Sequence, residues 1–128
     1  MKMKYALALS LMTGIAIGGV AIDRLHAQAK PPVVVVNEVE ITDQAGFQKY
    51  ADDNSKLIQK HGGKYVVRGG KPIATLSGSP PAGRYTVYTF ESEAKMNEWR
   101  NDPGQKDVLA TRDKVAKFRS FVVEGPAQ

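Results

Sequence analysis

Nine consecutive residues, Val33 to Ile41, read VVVVNEVEI. β-Branched side chains at this density specify a strand rather than a helix. Because side chains alternate across a strand, Val33, Val35, Asn37, Val39 and Ile41 share one face. Val34 and Val36, then Glu38 and Glu40, share the other. The first face must be covered along its whole length. The second starts buried and ends wet.

The rest of the chain supplies what covers that strand. Thr42-Asp43 is a helix-start signal. Phe47, Tyr50, Ala51, Asn54, Leu57, Ile58 and His61 follow at helical spacing on one face. Lys49 with Asp53, and Asp52 with Lys56, are i,i+4 pairs on the other side. Gly62-Gly63 ends the helix. Lys64 to Arg68 reads as a second strand, and Gly69-Gly70 as a bulge or kink. Ile73 to Leu76 is read as its continuation or as a separate short strand. Gly78 to Gly83 is a loop, and Arg84 to Phe90 a strand. Ser92 caps a short helix through Trp99 or Arg100. Asp102-Pro103-Gly104 breaks it, Gln105 to Ala116 is helical again, and Phe118 to Glu124 is the last strand. The order β-α-β-β-α-β predicts an α+β fold: a ferredoxin-like antiparallel sheet with helices on one face. The other face also carries apolar and aromatic side chains, for which a second copy of the sheet is the simplest cover.

Residues 1–29 read as a signal peptide. Two lysines precede an uncharged, mostly apolar run from Tyr5 to Ile22, and Ala27-Gln28-Ala29 is a small-residue cleavage site. An uncleaved anchor is the rival, since the run is near the lower limit of about 20 residues for a membrane span. Gly14, Gly18 and Gly19 weaken that rival. The protein is therefore expected to be periplasmic or secreted. Residues 30–32 form a linker, 33–125 one domain, and 126–128 a tail. Without residues 1–29 the charge of +5 falls to +3, from 15 basic and 12 acidic residues. These are interspersed, so no nucleic-acid footprint stands out and no membrane contact is expected after cleavage. The chain has no cysteine, which excludes thiolate chemistry and disulfides and leaves packing or oligomerisation to stabilise a small exported domain.

Three polar residues interrupt apolar helical stripes: Asn54, His61 and Arg112. Each has a structural reading: an internal hydrogen bond for Asn54, a helix C-terminal position for His61, an exposed or paired head group for Arg112. In the alternative they converge on one pocket. His61 then acts as general acid or base, and Arg112 or Arg68 holds a carboxylate or enolate oxygen. Tyr50 and Trp99 are candidate pocket walls, although large aromatics at such positions commonly serve the core. His61-Gly62-Gly63 could be a catalytic turn or a helix stop. Arg68-Gly69-Gly70 could offer open amides to an anion or form a bulge.

These residues, with the first strand, Phe47, Phe90 and the closing Val122 to Gly125, resemble the domain-of-unknown-function family 1330 of the dimeric α+β barrel superfamily. The resemblance spans about Val33 to Gly125. It implies a ferredoxin-like subunit in a homodimer packed sheet to sheet, with a cavity between sheet and helices. The family often has a serine near Asp102, a tyrosine near Gln105 and an acidic residue at Ser77, which this chain lacks. Two functions are carried forward. One is a barrel that binds or converts a small aromatic or enolisable molecule, with His61 and Arg112 catalytic and Tyr50, Asn54, Arg68 and Trp99 binding. The other is a non-catalytic envelope protein that binds a partner. No metal or cofactor is expected; haem enters only by superfamily analogy, with His61 the sole candidate ligand. RNA binding is disfavoured by export and by the lack of an aromatic RNP motif.

Overall fold

A computed structural model describes residues 31–126. The expected leader lies outside the described residues. The elements are β1 (Val33–Ile41), α1 (Gln44–Lys60), β2 (Lys64–Gly70), β3 (Arg84–Phe90), α2 (Glu93–Arg100), α3 (Gln105–Val115) and β4 (Ala116–Glu124). The strands form one antiparallel sheet in the order β2-β3-β1-β4. The chain is thus α+β, and no helix among the described residues is long and apolar enough to cross a membrane.

The period-two pattern of β1 is realised in register. Val33, Val35 and Val39 are buried against the helices, opposite Phe90, Tyr88 and Arg84 of β3. Val35 and Ile58 meet Tyr88, Phe90 and Met96 in one core cluster, with Tyr65 and Trp99 packed beside it. Val39, Tyr50, Val108, Val115 and Ala116 form a second, flanked by Phe47, Leu57 and Phe118. Together the two clusters draw on all seven of these elements.

The helix ends follow their sequence signals. The Asp43 side chain accepts from Gly46 N at 3.2 Å and the Ser92 side chain from Lys95 N at 3.2 Å. Such caps are worth about 0.5–2 kcal/mol each. At the end of α1, Gly62 takes φ +80°, and the amides of Gly62 and Gly63 return to the carbonyls of Gln59 and Ile58. That pairing closes the last turn and makes His61-Gly62-Gly63 a helix stop. Gly63 also lets α1 approach β3: a Cβ there would fall on Ile58 and within 2.9 Å of the Phe90 ring.

Three expectations are corrected. Ile73 to Leu76 is no strand; the segment after Gly70 is irregular, and Ile73 and Leu76 are 100 % and 99 % exposed. β2 instead runs through Gly70, with register shifts between Tyr65 and Val67 and between Val67 and Gly70. Asp52 accepts from Gln48 at 3.1 Å rather than pairing with Lys56, and Lys49 makes no bridge to Asp53. Exposed i,i+4 pairs are worth only tenths of a kcal/mol, so nothing enforces them.

Candidate functional site

Between the sheet and the helices lie two hollows that share a wall of Asn37, Tyr50, Asn54 and Tyr88. The larger, about 450 Å³, opens between α2, α3 and the β1–β4 side of the sheet. Met96, Trp99, Leu109 and Val122 give it an apolar lining, and Arg100 and Arg112 add charge. The smaller, about 270 Å³, lies beneath α1 and is edged by Gln44, Gln48, Arg68 and Arg84.

The polar wall exists because β1 carries Asn37 at an inward position of a valine strand. Its Nδ2 donates to the Thr86 carbonyl at 3.0 Å, and Ser120 Oγ donates to its Oδ1 at 2.7 Å. Asn37 is thereby satisfied by the strands on either side of it. Asn54 is not. Its Nδ2 donates to Tyr50 Oη at 3.3 Å, while its Oδ1 is buried without a partner. Trp99 Nε1 is likewise buried and unpartnered. A buried polar atom left unpaired costs about 1–3 kcal/mol. One acceptor and one donor are thus buried and unpartnered on two residues that line the same hollow.

The remaining groups are phenols and cations. Burial pushes the Tyr50 hydroxyl up to about 12, against the opposing pull of Arg112. Burial raises Tyr88 as well, against the opposing influence of the Asn37 and Asn54 amides beside it. Both phenols therefore stay protonated near neutral pH and can donate. Arg112 Nε pairs with Asp113 Oδ1 at 3.1 Å, and its guanidinium lies 5.2 Å from the Phe118 ring centre. Arg68 donates to Ser55 Oγ at 2.8 Å and sits 4.9 Å from the Tyr65 ring centre. Among the described residues, no Asp, Glu, His or Cys lines either hollow, and no cluster of three such side chains could hold a metal ion.

The predicted site residues divide accordingly. Tyr50, Asn54, Trp99 and Arg112 surround the larger hollow. Arg68 lines the smaller one, and His61 lines neither. His61 Nε2–H donates to Asp102 Oδ2 at 2.8 Å, where Lys60 Nζ also donates at 2.9 Å, and Gly104 N donates to Oδ1 at 2.8 Å. Asp102 thereby ties the end of α1 to the turn between α2 and α3. Sequence reasoning missed Asp102, which it read only as a helix breaker. It also missed the inward Asn37, although the polar residue in that apolar stripe was visible. The open-amide reading of Arg68-Gly69-Gly70 gives way to the bulge, since Gly69 N donates to Thr86 Oγ1 at 3.0 Å.

The Asp102 cluster has a pH signature. Its bonds from His61, Lys60 and Gly104 N hold the carboxyl well below the usual range. A carboxyl depressed in the folded state contributes stability above its unfolded value of about 4, and that contribution is lost as pH falls below it. Asp102→Asn is expected to lower the melting temperature at neutral pH and to narrow the gap to wild type below about pH 4. Melts across that range check it; a gap equally wide at both ends would mean the charge is not what holds the turn.

Several solved structures are similar in fold. A protein of unknown function from Rhodopseudomonas palustris superposes with a TM-score of 0.64 at 16 % identity, over 76 % of this chain and 84 % of that one. SnoaB, a cofactor-independent oxygenase from Streptomyces nogalater, gives 0.53 at 13 %, over 77 % and 96 %. A dimeric ferredoxin-like protein of unknown function from Thermobifida fusca gives 0.53 at 9 %, over 75 % and 92 %. No curated protein matches the chain in sequence. The profile of the domain of unknown function DUF1330 matches residues 32–126, all of β1 to β4 with the helices between them, and the chain belongs to that family.

Proposed function

We propose that this chain is an exported homodimer that binds a small aromatic or enolisable molecule in its larger hollow. The observation that carries the reading is a hollow of about 450 Å³ lined by two residues, Asn54 and Trp99, that each hold a buried polar atom without a partner, Oδ1 and Nε1. That volume lies in the ordinary range for small-molecule sites. The homodimer rests on the apolar outer face of the sheet and on the description of the Thermobifida fusca neighbour as dimeric. If chemistry follows binding, a lining without Asp, Glu, His or Cys among the described residues suits a substrate that brings its own reactivity, such as an activated aromatic undergoing oxygenation. Oxygenation is the activity of SnoaB, which shares the fold.

The exposed Ile73 and Leu76 favour a second reading, an envelope protein that binds a partner through that segment. Thermal melts of the chain from Lys30 onward, against aromatic acids, phenols, lactones and haem, separate the two. A ligand at 100 times its dissociation constant should stabilise by about 2.7 kcal/mol. The expected result is a shift that Arg112→Ala removes while the ligand-free melt changes little. No shift across the set, from a well-folded protein, would favour the partner reading.

A further inference from the structure

We propose that the smaller hollow is a second binding site, independent of the larger one, for a small organic carboxylate. Alternation along β3 sends Arg84, Thr86, Tyr88 and Phe90 to the face that the helices cover. Arg84 stands opposite Val39, which is 2 % exposed, and is itself half-buried. Arg68 reaches the same space from β2: its Nη2 donates to the Oγ of Ser55, a buried residue of α1, at 2.8 Å. Two cations thus line one hollow of about 270 Å³, and no Asp or Glu lines it. Among the described residues, Arg112 and Arg119 each pair with a carboxylate, whereas Arg68 and Arg84 pair with none.

An anion in the hollow answers that imbalance. Arg84 Nη1 donates to the Gly69 carbonyl at 3.5 Å, the outer limit of a hydrogen bond, and Arg68 commits only Nη2. N–H groups of both guanidinium forks therefore stay open to an acceptor. In so small a space, Coulomb attraction from both arginines acts on an anion that touches only one of them. The rest of the lining says what the anionic group is attached to. Phe47, Tyr50 and Phe118, with ring centres 5.6 to 6.4 Å apart, line the same hollow as the arginines, together with Ile41. That lining suits an apolar body. The volume lies just under the range of about 300–1,000 Å³ usual for ligand sites, which limits the guest to about one ring. Other donors in the lining are spent: the Gly69 amide on Thr86 Oγ1 and Gln48 Nε2 on Asp52 Oδ1. The two oxygens of a carboxylate suit such a lining better than the larger set on a phosphate.

Titration of the full chain with benzoate, benzamide and inorganic phosphate at low ionic strength, followed by NMR of the backbone amides, tests the assignment. Benzoate should bind, with the Gly69 and Thr86 amides among those that shift. Benzamide, its neutral isostere, should bind at least about tenfold more weakly. Arg84→Gln should weaken benzoate about tenfold, and Arg68→Gln about threefold, because Arg68 is exposed and its charge is screened more. Arg84→Lys keeps the charge and should recover part of the loss, which separates lost attraction from misfolding. Lys64→Gln removes an exposed charge from β2 that lines neither hollow, and should change nothing. Equal binding of benzoate and benzamide would overturn the anionic site. So would benzoate binding that survives Arg68→Gln and Arg84→Gln but falls with Arg112→Gln, since the anion would then sit in the larger hollow. Phosphate binding as tight as that of benzoate would overturn the organic carboxylate. Absence of any benzoate shift at millimolar concentration would overturn the whole proposal.

Discussion

Phe90→Ala should lower the free energy of unfolding by about 3–5 kcal/mol, the range for truncating a fully buried aromatic side chain. Phe90 is 1 % exposed and belongs to the cluster that joins β1, α1, β3 and α2. Its ring lies 5.3 Å from that of Trp99 and 5.9 Å from that of Tyr88, and Gly63 was needed for α1 to come this close to it. The void would thus open where four elements meet, and none can close it without moving the others. Domains of this size are stable by only about 5–15 kcal/mol in total, and no disulfide is present to limit the unfolded state. Urea melts of wild type, Phe90→Leu and Phe90→Ala measure the loss. Leucine should recover part of it by refilling volume. A loss below about 1 kcal/mol for alanine would mean that the cluster collapses freely around the void.

What could be read from the sequence follows from where each signal lies. The limits of β1 were legible because alternation and β-branching sit in the strand itself. The caps at Asp43, Gly62 and Ser92 were legible because a cap bonds residues within a turn of it. The role of Asp102 was not, because its partner His61 lies 41 residues away and only the packed fold brings them together. The same distance problem separated His61 from Arg112, which shared a polar-in-apolar signature but meet different neighbours. Ile73 to Leu76 failed for another reason. β-Branched and apolar composition marks a strand only where a neighbouring edge can pair with it, and there β3 is already filled by β2 and β1.

The outer face of the sheet gives the proposed homodimer its sharpest test. Register places Val67, Val87, Val36 and Phe121 in one row across all four strands, with Val34 and Val123 in the row beside it. Toward the other end, Glu38 accepts from Tyr85 Oη at 3.1 Å and Arg119 Nη2 at 2.8 Å. An apolar centre with a hydrogen-bonded polar margin is how stable interfaces are built. Val36→Lys puts a charge at the middle of that row, where a second sheet would desolvate it without a partner. A buried unpaired charge costs several kcal/mol, so association should weaken by about two orders of magnitude or more. Glu40→Lys, on the same face at its wet end opposite Lys117, is the control and should leave the dimer intact. Sedimentation across micromolar concentrations reads both variants. A wild-type chain that sediments as a monomer throughout would end the sheet-to-sheet arrangement. Dissociation by both variants alike would mean that general charge, rather than the valine row, governs association.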